Sequence, residues 1–131
     1  ESRRKPMILQ PLIEEIARSG EFSLMLFGGE YSHAVVKRPR SGDFRVQEYH
    51  GGVTGPCEVP PTGAIELAQA ALVAAPAAAI YARVDIVPDD EGTLRIMELE
   101  LIEPALFLDH APDGGEAFTR SVLNALEKAT A

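Results

Sequence analysis

Glu98 and Glu100 stand two residues apart in the run Leu94-Arg95-Ile96-Met97-Glu98-Leu99-Glu100-Leu101-Ile102-Glu103. Side chains alternate along an extended strand, so a strand over Leu94 to Glu103 would put Leu94, Ile96, Glu98, Glu100 and Ile102 on one face. Met97, Leu99 and Leu101 would take the other. The preceding segment, Ile80 to Val87, reads as a strand with Tyr81, Arg83, Asp85 and Val87 on one face and Ile80, Ala82, Val84 and Ile86 on its apolar side. If Glu91-Gly92 is a two-residue turn, Asp90 pairs with Thr93 and Asp85 lies opposite Glu98. Three carboxylates then meet on one patch. Like charges facing each other weaken a hairpin by roughly some tenths of a kcal/mol per pair unless something neutralises them. Mg²⁺, which prefers hard oxygen ligands from one or two carboxylates plus water and substrate phosphates, would do so. Arg83 or Arg95 pairing with the acids at a solvated sheet surface would do so equally.

Lys37, Arg45 and Gln47 end or line two expected neighbouring strands, and the segment His50-Gly51-Gly52-Val53-Thr54-Gly55-Pro56 follows at once. Cations beside a glycine-rich segment can hold phosphate charge while free backbone N–H groups approach it. Solvated edge-strand charges are the alternative. The segment is no Walker motif, since no Gly-Lys-Ser/Thr follows. His33 and His50 are candidate general bases, although a lone histidine on a strand or in a loop is more often structural or solvated. Cys57 has no evident activating partner, which argues against a nucleophile.

These groups need a scaffold. Phe22 to Phe27 and Ser32 to Lys37 flank Gly28-Gly29-Glu30 and read as a tight hairpin. A third strand is expected over Phe44 to Tyr49, with residues 50–56 a loop. Before the hairpin, Met7 to Gln10 suits a brief strand or linker, and Leu12 to Arg18 one or two helical turns ended by Gly20. Pro60-Pro61-Thr62 introduces a helix from about Gly63 to Ala75 with Ile65, Ala68 and Leu72 on one face. Asp113 and Glu116 have the spacing of a helix start, and Phe118, Val122, Ala125 and Leu126 form the stripe of the helix that follows. The order predicts an α+β fold, a mainly antiparallel sheet with helices packed on one face.

The 131 residues suit one compact domain. Hydrophobic residues at 46% and charged residues at 24% allow a core and argue against global disorder. Twenty acids against twelve Lys and Arg leave a net charge of −8, which disfavours nucleic acid and anionic membranes as partners. The short basic cluster Arg3-Arg4-Lys5 does not reverse that. A single cysteine rules out an intrachain disulfide and suits a cytoplasmic setting. The alanine-rich stretch near residues 68–82 is broken by Pro76 and is neither long nor greasy enough to span a bilayer. A polar start without an initiator methionine or signal peptide leads us to expect a piece of a longer polypeptide.

Taken in order, Gln10-Pro11-Leu12-Ile13-Glu14-Glu15-Ile16, Gly20-Glu21-Phe22-Ser23-Leu24, Gly28-Gly29, Ala34-Val35-Val36-Lys37, Gly42-Asp43-Phe44-Arg45-Val46-Gln47, Gly51-Gly52, Arg83-Val84-Asp85 and Met97 to Pro104 resemble the carboxy-terminal part of ATP-grasp ligases. The resemblance spans most of the chain and is nearest to the glutathione synthetase-like branch, within it to the O-ureido-serine cyclo-ligase type. It implies an ATP-grasp carboxy-terminal subdomain over 1–131 that works with ATP and Mg²⁺ (or Mn²⁺). Such ligases phosphorylate a small-molecule carboxylate, and an amine-type nucleophile then attacks the acyl phosphate to give an amide-type bond or ring.

By the same resemblance, Gln10 and Ile13 would sit at the adenine-contacting hinge and Glu21 would hold the ribose hydroxyls. Asp85, Glu98 and Glu100 match the metal ligands, with Glu100 standing where glutathione synthetases carry Asn. Lys37 and Arg45 match phosphate-steadying arginines, and Gly51 and Gly52 the closing loop. The other ATP-grasp subdomain and a substrate domain would precede Glu1, so the isolated chain is expected to be inactive, and its exposed face would suit a homodimer. Two other readings stay open, a non-catalytic module whose acidic face binds Mg²⁺ or a protein, and a plain α+β domain with solvated charges.

Overall fold

In the computed structural model of the chain, which describes residues 7, 9–46 and 50–130, a short helix α1 (Ile16–Ser19) leads into strands β1 (Glu21–Phe27) and β2 (Glu30–Arg38). Gly28 and Gly29 both have positive φ, 60° and 90°, the geometry of a two-residue turn that follows the twist of its strands. Gly20 is needed for a different reason. It has φ 80°, and a Cβ there would lie 2.7 Å from the Lys37 carbonyl oxygen, so any side chain would push α1 and β1 off β2.

The elements that follow are β3 (Val53–Pro56), α2 (Ala64–Val73), β4 (Tyr81–Pro88), β5 (Leu94–Glu100), a 3-10 turn at Leu108–His110, and α3 (Glu116–Thr130). Among the described residues the strands form one antiparallel sheet of five in the order β3-β2-β1-β4-β5.

The third strand is not where the residue pattern put it. Residues 44–46 have no strand pairing, and residues 47–49 lie outside the described part. Instead Val53–Pro56, expected as loop, pairs with Val35–Arg38 at the sheet edge. An edge strand pairs along one side only, so a glycine and a closing proline are tolerated there. β5 also stops at Glu100, three residues short of expectation.

Alternation along β1 sorts the core. Leu24 and Leu26 pack with Ala34, Val84 and Ile86 against Ala64 and Ala68 of α2. Met25 and Phe27 face the other way and join Val35, Tyr81, Leu106 and Phe118. The sheet with packed helices is thus as expected, and the single covered face describes α2. The start of α3 meets the opposite face, with Phe118 edge-on to Phe27 at 5.5 Å between ring centroids. Asp113 accepts hydrogen bonds from Gly115 N and Ala117 N and starts α3 as its spacing implied. The expected stripe is buried only in part, since Leu126 is exposed.

His33 turns out to be a structural pin. Its buried ring lies 3.0 Å from the carbonyl oxygens of both Leu106 and Phe107 through Nε2, and 2.9 Å from Ser32 Oγ through Nδ1. The neutral Nε2–H tautomer satisfies all three contacts, with Ser32 donating. Phe107 has φ 47°, so this pin holds a backbone conformation that costs energy for a non-glycine residue. Burial lowers the His33 pKa below its ordinary 6.5, against the opposing pull of the two carbonyls. A group with a depressed folded pKa contributes stability above its unfolded pKa and loses it as pH falls. The melting temperature of the chain should therefore drop between neutral pH and about pH 5. In His33→Gln that drop should be shallower, as scanning calorimetry at several pH values would show.

Candidate functional site

The α2-free face of the sheet carries a polar cluster at the end where β1 begins. Register places Ser23 beside Asp85, Glu21 beside Lys37, Asp85 opposite Glu98 and Arg83 opposite Glu100. Asp85 is 2% exposed, and a carboxylate that deep must be paired and hydrogen-bonded. Ser23 Oγ donates to its Oδ1 at 2.6 Å, Lys37 Nζ to Oδ2 at 3.0 Å, and Arg83 Nε reaches both oxygens at 3.0 and 3.2 Å. Lys37 Nζ also lies 2.6 Å from Glu21 Oε1.

The expected face-sharing of Asp85, Glu98 and Glu100 holds, but the route to it differs. The hairpin is closed not by Glu91-Gly92 but by a longer turn in which Asp89 N donates to the Thr93 carbonyl and Asp89 Oδ1 accepts from Glu91 N and Thr93 N. That shifts the register by one, and Ile86 faces Ile96. A bulge at Met97 then restores it, so that Asp85 faces Glu98. The bulge also corrects the expected faces of β5. Leu94 packs on the α2 side with Leu99, whereas Met97 turns with Glu98 to the polar side and packs on Val87, Ile16 and Val46.

The three acids meet on a guanidinium. Arg83 Nη2 lies 3.3 Å from Glu98 Oε2, touches Glu100 Oε2 and donates to Asp85 at 3.2 Å. Its pKa is raised, because the pull of Asp85, Glu100 and Glu98 outweighs an opposing burial penalty. Among the described residues no group of three His, Cys, Asp or Glu stands as a ready metal cage, since Arg83 sits between the carboxylates. Residue patterning had offered Arg83 only as a neutraliser, and the structure makes it the hub. Arg95, the alternative neutraliser, pairs with Asp89 instead.

A cavity of about 440 Å³ adjoins this cluster, lined by Gln10, Pro11, Leu12, Ile13, Ile16, Glu21, Phe44, Arg45, Val46 and Met97. That volume is within the range of small-molecule sites, and an apolar lining with a few polar groups is their usual character. All three residues expected to hold nucleotide, Gln10, Ile13 and Glu21, line it together. Asp90 Oδ1 accepts from Glu15 N at 3.0 Å and ties this wall to the β4–β5 turn. Burial raises the Glu21 pKa, with Lys37 opposing.

Two expected groups stand apart. Arg45 lines the cavity but pairs with Asp43, Nη2 to Oδ2 at 2.8 Å, and holds that carboxyl well below its ordinary range. Among the described residues no ion pair joins Arg45 to the cluster. Gly51, with φ 85°, packs near Arg40 in the turn before β3, and Gly52 follows it. Among the described residues no hydrogen bond joins either glycine to the carboxylates.

Lys37 serves two buried acids at once, and removing one partner of a buried pair strands the other charge. Lys37→Met should cost about 3 kcal/mol of stability in urea unfolding. Combined with Glu21→Gln it should cost less than the sum of the two single changes, a coupling of about 1 kcal/mol or more.

No family model matches the chain. The cycloserine biosynthesis protein DcsG of Streptomyces lavendulae is 31% identical over 127 residues, which is 92% of this chain and 42% of that protein. The crystal structure of the D-cycloserine synthetase DcsG superposes with a TM-score of 0.72 at 28% identity, covering 89% of this chain and 41% of that one. The D-alanine–D-alanine ligase of Bacillus anthracis, solved in complex with ATP, matches with a TM-score of 0.60 at 17% identity over 86% of this chain and 40% of its own, a likeness of fold alone. The chain thus spans less than half the length of these relatives. Over the part it spans, it is a homologue of DcsG with the fold of the ATP-grasp carboxy-terminal subdomain.

Proposed function

We propose that residues 1–131 are the carboxy-terminal ATP-grasp subdomain of an ATP-dependent carboxylate ligase. The whole protein would join a small-molecule carboxylate to an amine-type group. A carboxylate oxygen takes the γ-phosphoryl group and ADP leaves; the amine nitrogen then attacks the acyl carbon, phosphate leaves, and an amide-type bond or ring remains. Phosphoryl transfer asks a protein for positioning and charge neutralisation more than for covalent help.

The observation that carries this reading is the double position of Glu21. It walls the cavity with Gln10 and Ile13, and it pairs with the Lys37 that also holds Asp85. A nucleotide base among Gln10, Ile13 and Met97 would have its ribose near Glu21 and its phosphates toward Lys37 and Arg83. Arg45, on the cavity wall, would join them once it left Asp43, with Gly51 and Gly52 closing over the phosphates. Its likeness to DcsG supports the reaction class.

In net charge these residues would accept a divalent cation, which would have to displace Arg83 from between the carboxylates. Four carboxylates (Glu21, Asp85, Glu98, Glu100) against two cations (Lys37, Arg83) leave an excess of two negative charges. A buried oxygen, Glu100 Oε2, lacks an aligned hydrogen-bond donor. Asp85, Glu98 and Glu100 would supply hard oxygen ligands, and the cation, Mg²⁺ or Mn²⁺, would offset charge on the transferring phosphate.

Calorimetric titration of Mg-ATP into the 131-residue chain tests this, beside Glu98→Gln and with magnesium-free controls. Glu98 is half exposed, so its substitution should leave the fold intact. Binding should need magnesium and weaken by about tenfold or more in the variant. Failure of both this chain and the whole protein to bind at millimolar ATP would overturn the nucleotide reading.

A further inference from the structure

Arg83 is held more tightly, and shared more widely, than a surface arginine. Its side chain is 11% exposed. Nε and Nη2 donate to Asp85, while the same Nη2 serves Glu98 and Glu100. A guanidinium fork matches one carboxylate in two parallel bonds. Here one nitrogen is divided among three acids, and Glu100 Oε2 stays without an aligned donor despite its burial. The two ends of the contact differ in strength. The Asp85 end is enclosed and multiply bonded, with Ser23 and Lys37 completing the carboxylate. The Glu98 and Glu100 end rests on one long hydrogen bond and one misaligned contact, to side chains 55% and 32% exposed.

We propose that Arg83 is the resident counter-ion of this patch, a stand-in for a divalent cation. It keeps Asp85, Glu98 and Glu100 together while no cation is bound and gives up Glu98 and Glu100 when one arrives. It stays tied to Asp85 through Nε and turns the released Nη groups to an anion. The inference rests on the cation site proposed above. It adds a sign to the energetics of that site: a cation alone must displace a guanidinium, whereas an anion that takes the released guanidinium removes the competition. Cation and anion should therefore favour each other reciprocally.

Mn²⁺ binding to the 131-residue chain, followed by electron paramagnetic resonance, separates the outcomes. Arg83→Met should bind Mn²⁺ about tenfold more tightly than the unaltered chain. Arg95→Met, which removes a positive charge paired elsewhere, should change affinity by less than about twofold. Inorganic phosphate at constant free Mn²⁺ should raise Mn²⁺ occupancy in the unaltered chain and not in Arg83→Met. Should Arg83→Met fail to fold, the unaltered chain still decides. Its Arg83 Nε–H and Nη–H nitrogen resonances should respond differently to Mg²⁺, Nε staying protected and Nη shifting. Equal Mn²⁺ affinity in Arg83→Met, or an Arg83 signal indifferent to bound Mg²⁺, would overturn the counter-ion role and leave the cation site standing. No binding of Mn²⁺ to either form, with or without ATP, would remove the cation site and this inference together.

Discussion

A carboxylate buried in the middle of a sheet is the constraint on which the rest of this structure turns. Asp85 has almost no contact with solvent, and an ionised group so placed is costly unless charge and hydrogen bonds surround it. Its partners come from three strands: Ser23 from β1, Lys37 from β2 and Arg83 from β4 itself. Only the order β2-β1-β4 places them around one point. The hydrophobic half of the sheet, where Leu24, Leu26, Val84 and Ile86 lie on α2, supplies the burial that makes such a polar centre affordable. Alternation along the same strands delivers both halves, since Leu24 and Val84 face α2 while their neighbours Ser23, Arg83 and Asp85 face the charges.

The bulge at Met97 is the second structural requirement. Without it, Met97 and Glu98 would lie on opposite faces, and either the cavity would lose its floor or the patch would lose an acid. With it, consecutive residues serve two neighbouring environments, Met97 beside Ile16 and Val46, and Glu98 on Arg83. Bulges often re-aim side chains in this way near functional sites.

This also explains what could be seen from residue order. Pairing Asp85 with Glu98 follows from strand alternation and a tight turn, and the pairing is correct although the turn is not. Asp89 builds a longer turn and the bulge returns the lost residue, so two offsets cancel. Asparagine-like capping by Asp89 leaves a readable sign, its spacing to Thr93 and Gly92, whereas a bulge inside an apolar run leaves none. The Gly28-Gly29 turn was legible because two consecutive positive φ values call for glycine. The edge strand Val53–Pro56 was not, because glycines and a proline argue against a strand unless its other side is known to be free. Arg83 shows another limit. Its face was predictable from Asp85 two residues on, but its role as hub depends on three acids converging from two strands.

Glu21 is the point at which cavity and patch become one electrostatic system. Burial pushes its carboxyl toward the neutral form and Lys37 pulls it back, so its charge depends on where the ammonium sits. Lys37 in turn divides its charge between Glu21 and Asp85, and Asp85 shares Arg83 with Glu98 and Glu100. Any polar group that hydrogen-bonds Glu21 from the cavity alters what Lys37 must neutralise, and through Lys37 what Asp85 asks of Arg83. In a low-dielectric interior such chains of shared partners respond together rather than pair by pair. Occupation of the cavity and charge on the patch are therefore linked by three side chains in direct contact, with no movement of the sheet required.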